Sequence, residues 1–210
     1  MKIQRNHRGW AILAILLLGV ALTGEVCTED RNVDIVVGAD VVAAFQARGT
    51  ENALNDEEVV SLDEEIDLSQ ILEDNGIDSL VSVSIEAVFV RVTKQDPTSG
   101  RTVSGNVTVG TLPGPDLALI DFTSIEVNDE IYADWSPLSL EAPGVDLLNY
   151  VLQDLVDQIN GGVSHPTAPD LVFKVSGVSE PQSVETNFDW EFLLRLNIVG
   201  TTEVTVVDPL

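Results

Sequence analysis

The chain has 210 residues, 35 of them acidic and 10 basic, for a formal charge of −25 at neutral pH. Such a surface repels nucleic acid and anionic membranes, because neither can release counterions to carboxylates, so those partner classes are excluded. The apolar fraction of 44% excludes global disorder and allows a real core.

The first residues have their own character. Lys2, Arg5 and Arg8 precede an unbroken apolar run from Trp10 to Leu22, and Cys27, the sole cysteine, follows. A basic start and a short apolar stretch predict an export signal over residues 1–27. The run is shorter than the ~20 residues a permanent membrane helix needs. Two processing routes are open. Simple cleavage wants small residues before the cut, and Ala21, Thr23 and Gly24 come closest. In the other route, Cys27 is acylated and becomes the first residue of a lipoprotein. Leu22-Thr23-Gly24 resembles the start of a bacterial lipobox, although Glu25 and Val26 intervene and Val26 stands where a small residue belongs. A lone thiol in an oxidising compartment, followed by Thr28-Glu29-Asp30, keeps this route in play.

Beyond Cys27, 34 acidic and 7 basic residues remain. High-salt adaptation, calcium binding and plain solubility can each produce that excess. The acids are spread along the chain, which favours a global adaptation to solvent over one concentrated metal site.

In chain order, residues 28–32 read as a short acidic linker, and 33–210 as a single β-rich domain. Val33–Val37 and Val41–Phe45 read as strand, with Gly38 as a bulge. Thr50–Glu58 reads as a loop and Val59–Leu68 as a strand, with a helix as the alternative. Ser69–Asp74 reads as one or two helical turns stopped by Asn75-Gly76. From Val81 to Phe89, apolar and polar residues alternate, the period of a half-buried strand. Asp96–Gly100 reads as a turn that makes Arg101–Val109 the hairpin partner of that strand. Leu117–Val127 and Ile131–Trp135 read as strands. Val145, Leu148, Val151, Leu152, Leu155, Val156 and Ile159 form one apolar stripe, predicting a long amphipathic helix over about 145–160, with Asn149 on its outer face. Strands at Leu171–Val175, Phe188–Val199 and Thr202–Val207 complete the count. The class expected is mainly β: an antiparallel β-sandwich with that helix packed on it or capping it.

Chemistry-bearing sets are sparse. Beyond Cys27, His165 is the one histidine; it sits among loop residues without a Gly-x-Ser-x-Gly elbow, and it reads as a turn residue. Zinc needs several His or Cys ligands, and nucleotide-binding motifs are absent from the sequence. Glu73, Asp74 and Asp78 surround a glycine turn and are the candidate calcium-type ligands, without EF-hand spacing. The layout is similar in a general way to small bacterial envelope lipoproteins and surface β-sandwiches. The function expected first is a non-catalytic envelope or surface module that assembles with other proteins or copies of itself. Its C-terminal strand, with Thr202, Val204 and Val206, is the expected assembly element. A carrier of an apolar ligand between helix and sheet is the second expectation, and a two-carboxylate hydrolase the third.

Overall fold

The computed structural model describes residues 28–49, 53–95, 101–127, 134–181 and 186–207. The export signal with Cys27, the turn at Asp96–Gly100 and most of Ile131–Trp135 lie outside the described residues.

The chain is mainly β, with two antiparallel sheets of four strands and few helices. In order along the chain come β1 (Thr28–Gly49), β2 (Ala53–Val60), α1 (Leu62–Glu65), α2 (Leu68–Asn75), β3 (Ser79–Gln95) and β4 (Arg101–Thr111). They are followed by β5 (Leu117–Val127), β6 (Ser136–Leu138), α3 (Ala142–Asn160), β7 (Leu171–Glu180) and β8 (Thr186–Val207). One sheet has the order β1-β8-β3-β6, the other β2-β7-β4-β5. Asn32–Glu203 form one compact unit; of the described residues, 28–31 and 204–207 form a second.

The strands obey the two-residue period. On β1, Val41, Ala43 and Phe45 are buried while the even-numbered residues between them face solvent. On β3, Val88, Val90 and Val92 are buried, so the outward set switches along its length. Register shifts in the β3–β8 ladder between Leu80 and Ser82, Ile85 and Ala87, and Val92 and Lys94 are where that switch is absorbed. The hydrophobic cluster draws on both sheets. Phe45 meets Phe192 edge-on at 5.5 Å, and Phe122 meets Trp190 at 5.7 Å.

Several expectations are corrected. Residues 28–32 are the first residues of β1, not a linker. Most of the expected loop at Thr50–Glu58 is strand β2, whose acids hide the β pattern. Val59–Leu68 ends β2 and forms α1. Among the described residues helix falls in three segments, with α2 at the turns expected over Ser69–Asp74 and α1 in the stretch for which a helix was the alternative. The expected hairpin of β3 and β4 does not form: β4 pairs with β5 and β7 in the other sheet. A turn signal reports reversal of direction but not which strand is met afterwards.

The residues of α3 explain its seat. Its buried side is Leu148, Val151, Leu152, Leu155 and Val156, all in the hydrophobic cluster. At Gly144 a Cβ would stand 2.7 Å from the Ala118 carbonyl and the Leu119 Cα, so only glycine lets the first turn approach β5 this closely. Asn149 and Asn160 reach the backbone of β3. The Asn149 side-chain oxygen accepts the Ile85 N–H at 3.0 Å, and the Asn160 amide donates to the Leu80 carbonyl at 2.8 Å. Because β6 pairs with β3 at Val88, Phe89 and Val90, these asparagines serve a stretch of β3 beyond that short strand. Asn149 therefore is not an outer-face residue.

Candidate functional site

The candidate calcium ligands do not converge. Helix α2 starts at Asp67, whose carboxylate accepts the Gln70 N–H at 2.9 Å, an N-cap. It ends at Gly76, in the left-handed region at φ 64°, where the Ile77 N–H returns to the Leu72 carbonyl at 2.9 Å. Glu73 and Asp74 are exposed on the last turn. Asp78, beyond the glycine, turns to strand β8. Its N–H donates to the Thr201 carbonyl at 2.9 Å, and its carboxylate accepts the Thr202 hydroxyl at 2.8 Å and the Glu203 N–H at 3.0 Å. The Glu203 amide, followed by the Thr202 hydroxyl, holds the Asp78 carboxyl below the ordinary aspartate range. Asp78 is thus a side-chain extension of the β3–β8 ladder. Among the described residues no group of three or more His, Cys, Asp or Glu side chains is placed to hold a metal ion.

Strand β8 carries the expected assembly segment. Strand β8 lies between β1 and β3, and its ladder with β3 ends at Ser79 opposite Thr201, so Thr202, Val204 and Val206 follow its last residue paired to β3. Thr202 is committed to Asp78. Within the smaller unit, Val204 and Val206 are exposed, and the Thr205 hydroxyl donates to Asp30 at 2.8 Å. The edge strands are β1 and β6 in one sheet and β2 and β5 in the other.

Strand β1 is the longest of these edges, at 22 residues, and its outward side mixes valines with Asp34, Asp40 and Gln46. Val36 is 64% exposed and Val42 is 41% exposed. Between them, Asp40 receives the Arg195 guanidinium through two bonds, at 2.9 and 3.1 Å. Asp40 raises the Arg195 pKa further, first by hydrogen bonding and then by charge. Arg195 also lies over the Phe89 ring at 5.1 Å. Farther across the same sheet, Arg91 pairs with Glu191 at 2.7 Å and stacks 4.2 Å from the Trp135 ring centroid. Near the far end of β1, Asp56 of β2 accepts the Gln46 N–H at 2.7 Å. An edge donor is satisfied there by a carboxylate, as edge strands require.

Two concave regions gather polar side chains. One, of about 350 Å³, lies beside α1, α2 and the loop after α3, and is lined by Asp63, Ile66, Asp67, Ser164, His165 and Thr167. It brings the histidine near two carboxylates, but Asp67 is already the cap of α2, and His165 and Ser164 are exposed. The other, of about 470 Å³, is a shallow trough on the outer side of β2, β7 and β4. There Lys174 contacts Asp116 at 2.9 Å and Glu57 at 3.8 Å; the Asp116 bond is the main cause of a raised lysine pKa. The apolar stripe of α3 is spent on the core: Leu148, Leu152 and Leu155 are each no more than 2% exposed. Among the described residues no helix is long and apolar enough to cross a membrane.

No protein-family model matches the chain, and no curated protein matches it. Two solved structures of infectious bursal disease virus, from the Gt and Gx strains, are similar at 12% and 10% identity, each with a TM-score of 0.27. The alignments cover 85% and 84% of this chain but 39% and 40% of the viral ones, so the chain spans about two fifths of their length. At these scores the likeness carries no argument about function.

Proposed function

We propose that the chain is an exported, non-catalytic cell-envelope or surface protein, a β-sandwich with α3 packed beside it, that assembles by strand addition. The observation that carries this reading is the edge strand β1, with Val36 and Val42 exposed on its outward face. An edge offers unpaired backbone N–H and C=O groups to an added strand, and exposed valines give that strand apolar side chains to cover. The aromatic contacts of Phe122 on β5 with Trp190 and Phe192 on β8 support stacking of the two sheets, and the buried face of α3 supports its place against β3 and β5. The basic start and apolar run support export, with Cys27 as the point where a lipid would tether the protein if the acylation route is taken. Its partners are other proteins or further copies of the chain.

The double variant Val36→Lys, Val42→Lys tests the edge. In molar salt, which screens the repulsion of so acidic a chain, light scattering after size exclusion should give an oligomer for the native sequence. The variant should run as a monomer with an unchanged circular-dichroism spectrum. A native monomer, or an oligomer that survives both lysines, overturns assembly through β1.

A further inference from the structure

We propose that Asn106 is an N-glycosylation acceptor that carries an oligosaccharide on the outer face of the β2-β7-β4-β5 sheet. The proposal rests on the export reading, since the transfer takes place on exported chains. Asn106-Val107-Thr108 meets the acceptor pattern, an asparagine followed two residues later by a hydroxyl residue, with no proline between. The fold then decides whether that tripeptide is usable. All three residues lie in extended strand β4, so Asn106 and Thr108 share one face while Val107 points the other way. Val107 is 1% exposed and belongs to the core, which places Asn106 and Thr108 on the solvent side.

The ladder registers build that side outward from Asn106. Asn106 stands opposite Ser176 of β7 and Asp121 of β5, and Ser176 stands opposite Asn55 of β2. Asn55, Ser176 and Asp121 are exposed and Asn106 is half-buried between them, so the row faces solvent on the three strands around it. The Ser176 hydroxyl donates to the Asn106 side-chain oxygen at 2.8 Å, holding the amide by the atom that does not react. Thr108, one row along, borders the 470 Å³ trough with Asn55, Glu57, Asp116 and Lys174. Its carboxylates, amide and ammonium are the partners sugar hydroxyls use, and a saccharide on Asn106 has somewhere to lie.

The transfer balances without a redox step. The Asn106 side-chain nitrogen forms a bond to the anomeric carbon of a saccharide carried on a lipid-linked phosphate or pyrophosphate donor. The bond from that carbon to the donor oxygen breaks, its electron pair leaves with the phosphate, and one amide proton passes to a base of the transferase. The neutral bulky product covers a polar sheet face and keeps it from strand or face pairing.

Mass spectrometry of the full chain, purified from the envelope or medium of its own source organism, tests this. The intact mass should exceed that of the processed polypeptide by saccharide units, and peptide mapping of the native chain should place the excess on the Asn106 peptide. The excess should vanish in Asn106→Gln and Thr108→Ala and persist in Thr108→Ser. A processed chain of bare polypeptide mass overturns the proposal and leaves export standing. A bare chain that keeps its first 27 residues overturns both. An excess mapped to another peptide overturns the assignment to Asn106.

Discussion

The side-chain oxygen of Asn149 accepts the backbone N–H of Ile85 at 3.0 Å, so a helix residue completes the hydrogen bonding of a strand 64 positions earlier. A second helix asparagine, Asn160, does the same for the Leu80 carbonyl. Together they let α3 serve β3 where β6 does not pair with it.

Removing the acceptor therefore leaves a partly buried donor unpaired. Asn149→Ala should lower stability by about 1–3 kcal/mol, the usual cost of an unsatisfied buried group. Urea denaturation checks the size of the loss. Amide exchange should locate it, accelerating at Ile85 more than at Val172 in the other sheet. A change below a few tenths of a kcal/mol would mean that water replaces the asparagine without cost.

Asp78 gives a pH-dependent prediction. Its folded-state pKa is depressed by the Glu203 N–H and the Thr202 hydroxyl, so its contribution is fully present above the unfolded value of about 4. It is lost as pH falls through the lower folded value. Amide exchange at Glu203, corrected for intrinsic rates, should accelerate as the solution is taken below about pH 4, and Asp78→Ala should show the fast rate already at neutral pH. Equal protection in both proteins at neutral pH would remove Asp78 from the end of the ladder.

The charge of −25 predicts a salt dependence. Screening of carboxylate repulsion should raise the melting temperature steadily from low salt to molar sodium chloride. With no converging carboxylate set among the described residues, a chelator at constant ionic strength should leave that temperature unchanged. A drop of several degrees on chelation, restored by calcium, would show a metal site elsewhere in the chain.

Part of this architecture was legible from single segments. The alternation from Val81 to Phe89 announced the strand β3 but not its buried face: of that apolar set only Val83 is buried and Val81 is 52% exposed, because register shifts move the period from one face to the other. Asn75-Gly76 announced the end of α2 because glycine takes a left-handed turn at little cost. Strand β2 stayed hidden. Asp56, Glu57 and Glu58 suit a solvated loop, and they lie in a strand because the ladder with β7 is made by backbone groups that every residue carries.

The candidate sites divide along the same line. Glu73, Asp74 and Asp78 are neighbours in sequence, yet a helix end separates the first two from a carboxylate that belongs to the β3–β8 ladder. Nothing local in the C-terminal strand announces that β8 lies between β1 and β3. Asn106 shows the reverse: its tripeptide is written in the sequence, but only the register with Ser176 and Asp121 places it on an open face.

By itself the sequence determined the acidity, the mainly β character and the local signals for where segments turn or stop. Those depend on side-chain charge, burial period and backbone conformational preference, all of which act within a few residues. Only the tertiary structure decided which strands are edges, which sheet β4 joins, and which polar side chains are spent on the backbone of a distant segment. Main-chain hydrogen bonds set that arrangement, and they are chemically alike at nearly every position, so no local pattern can announce it.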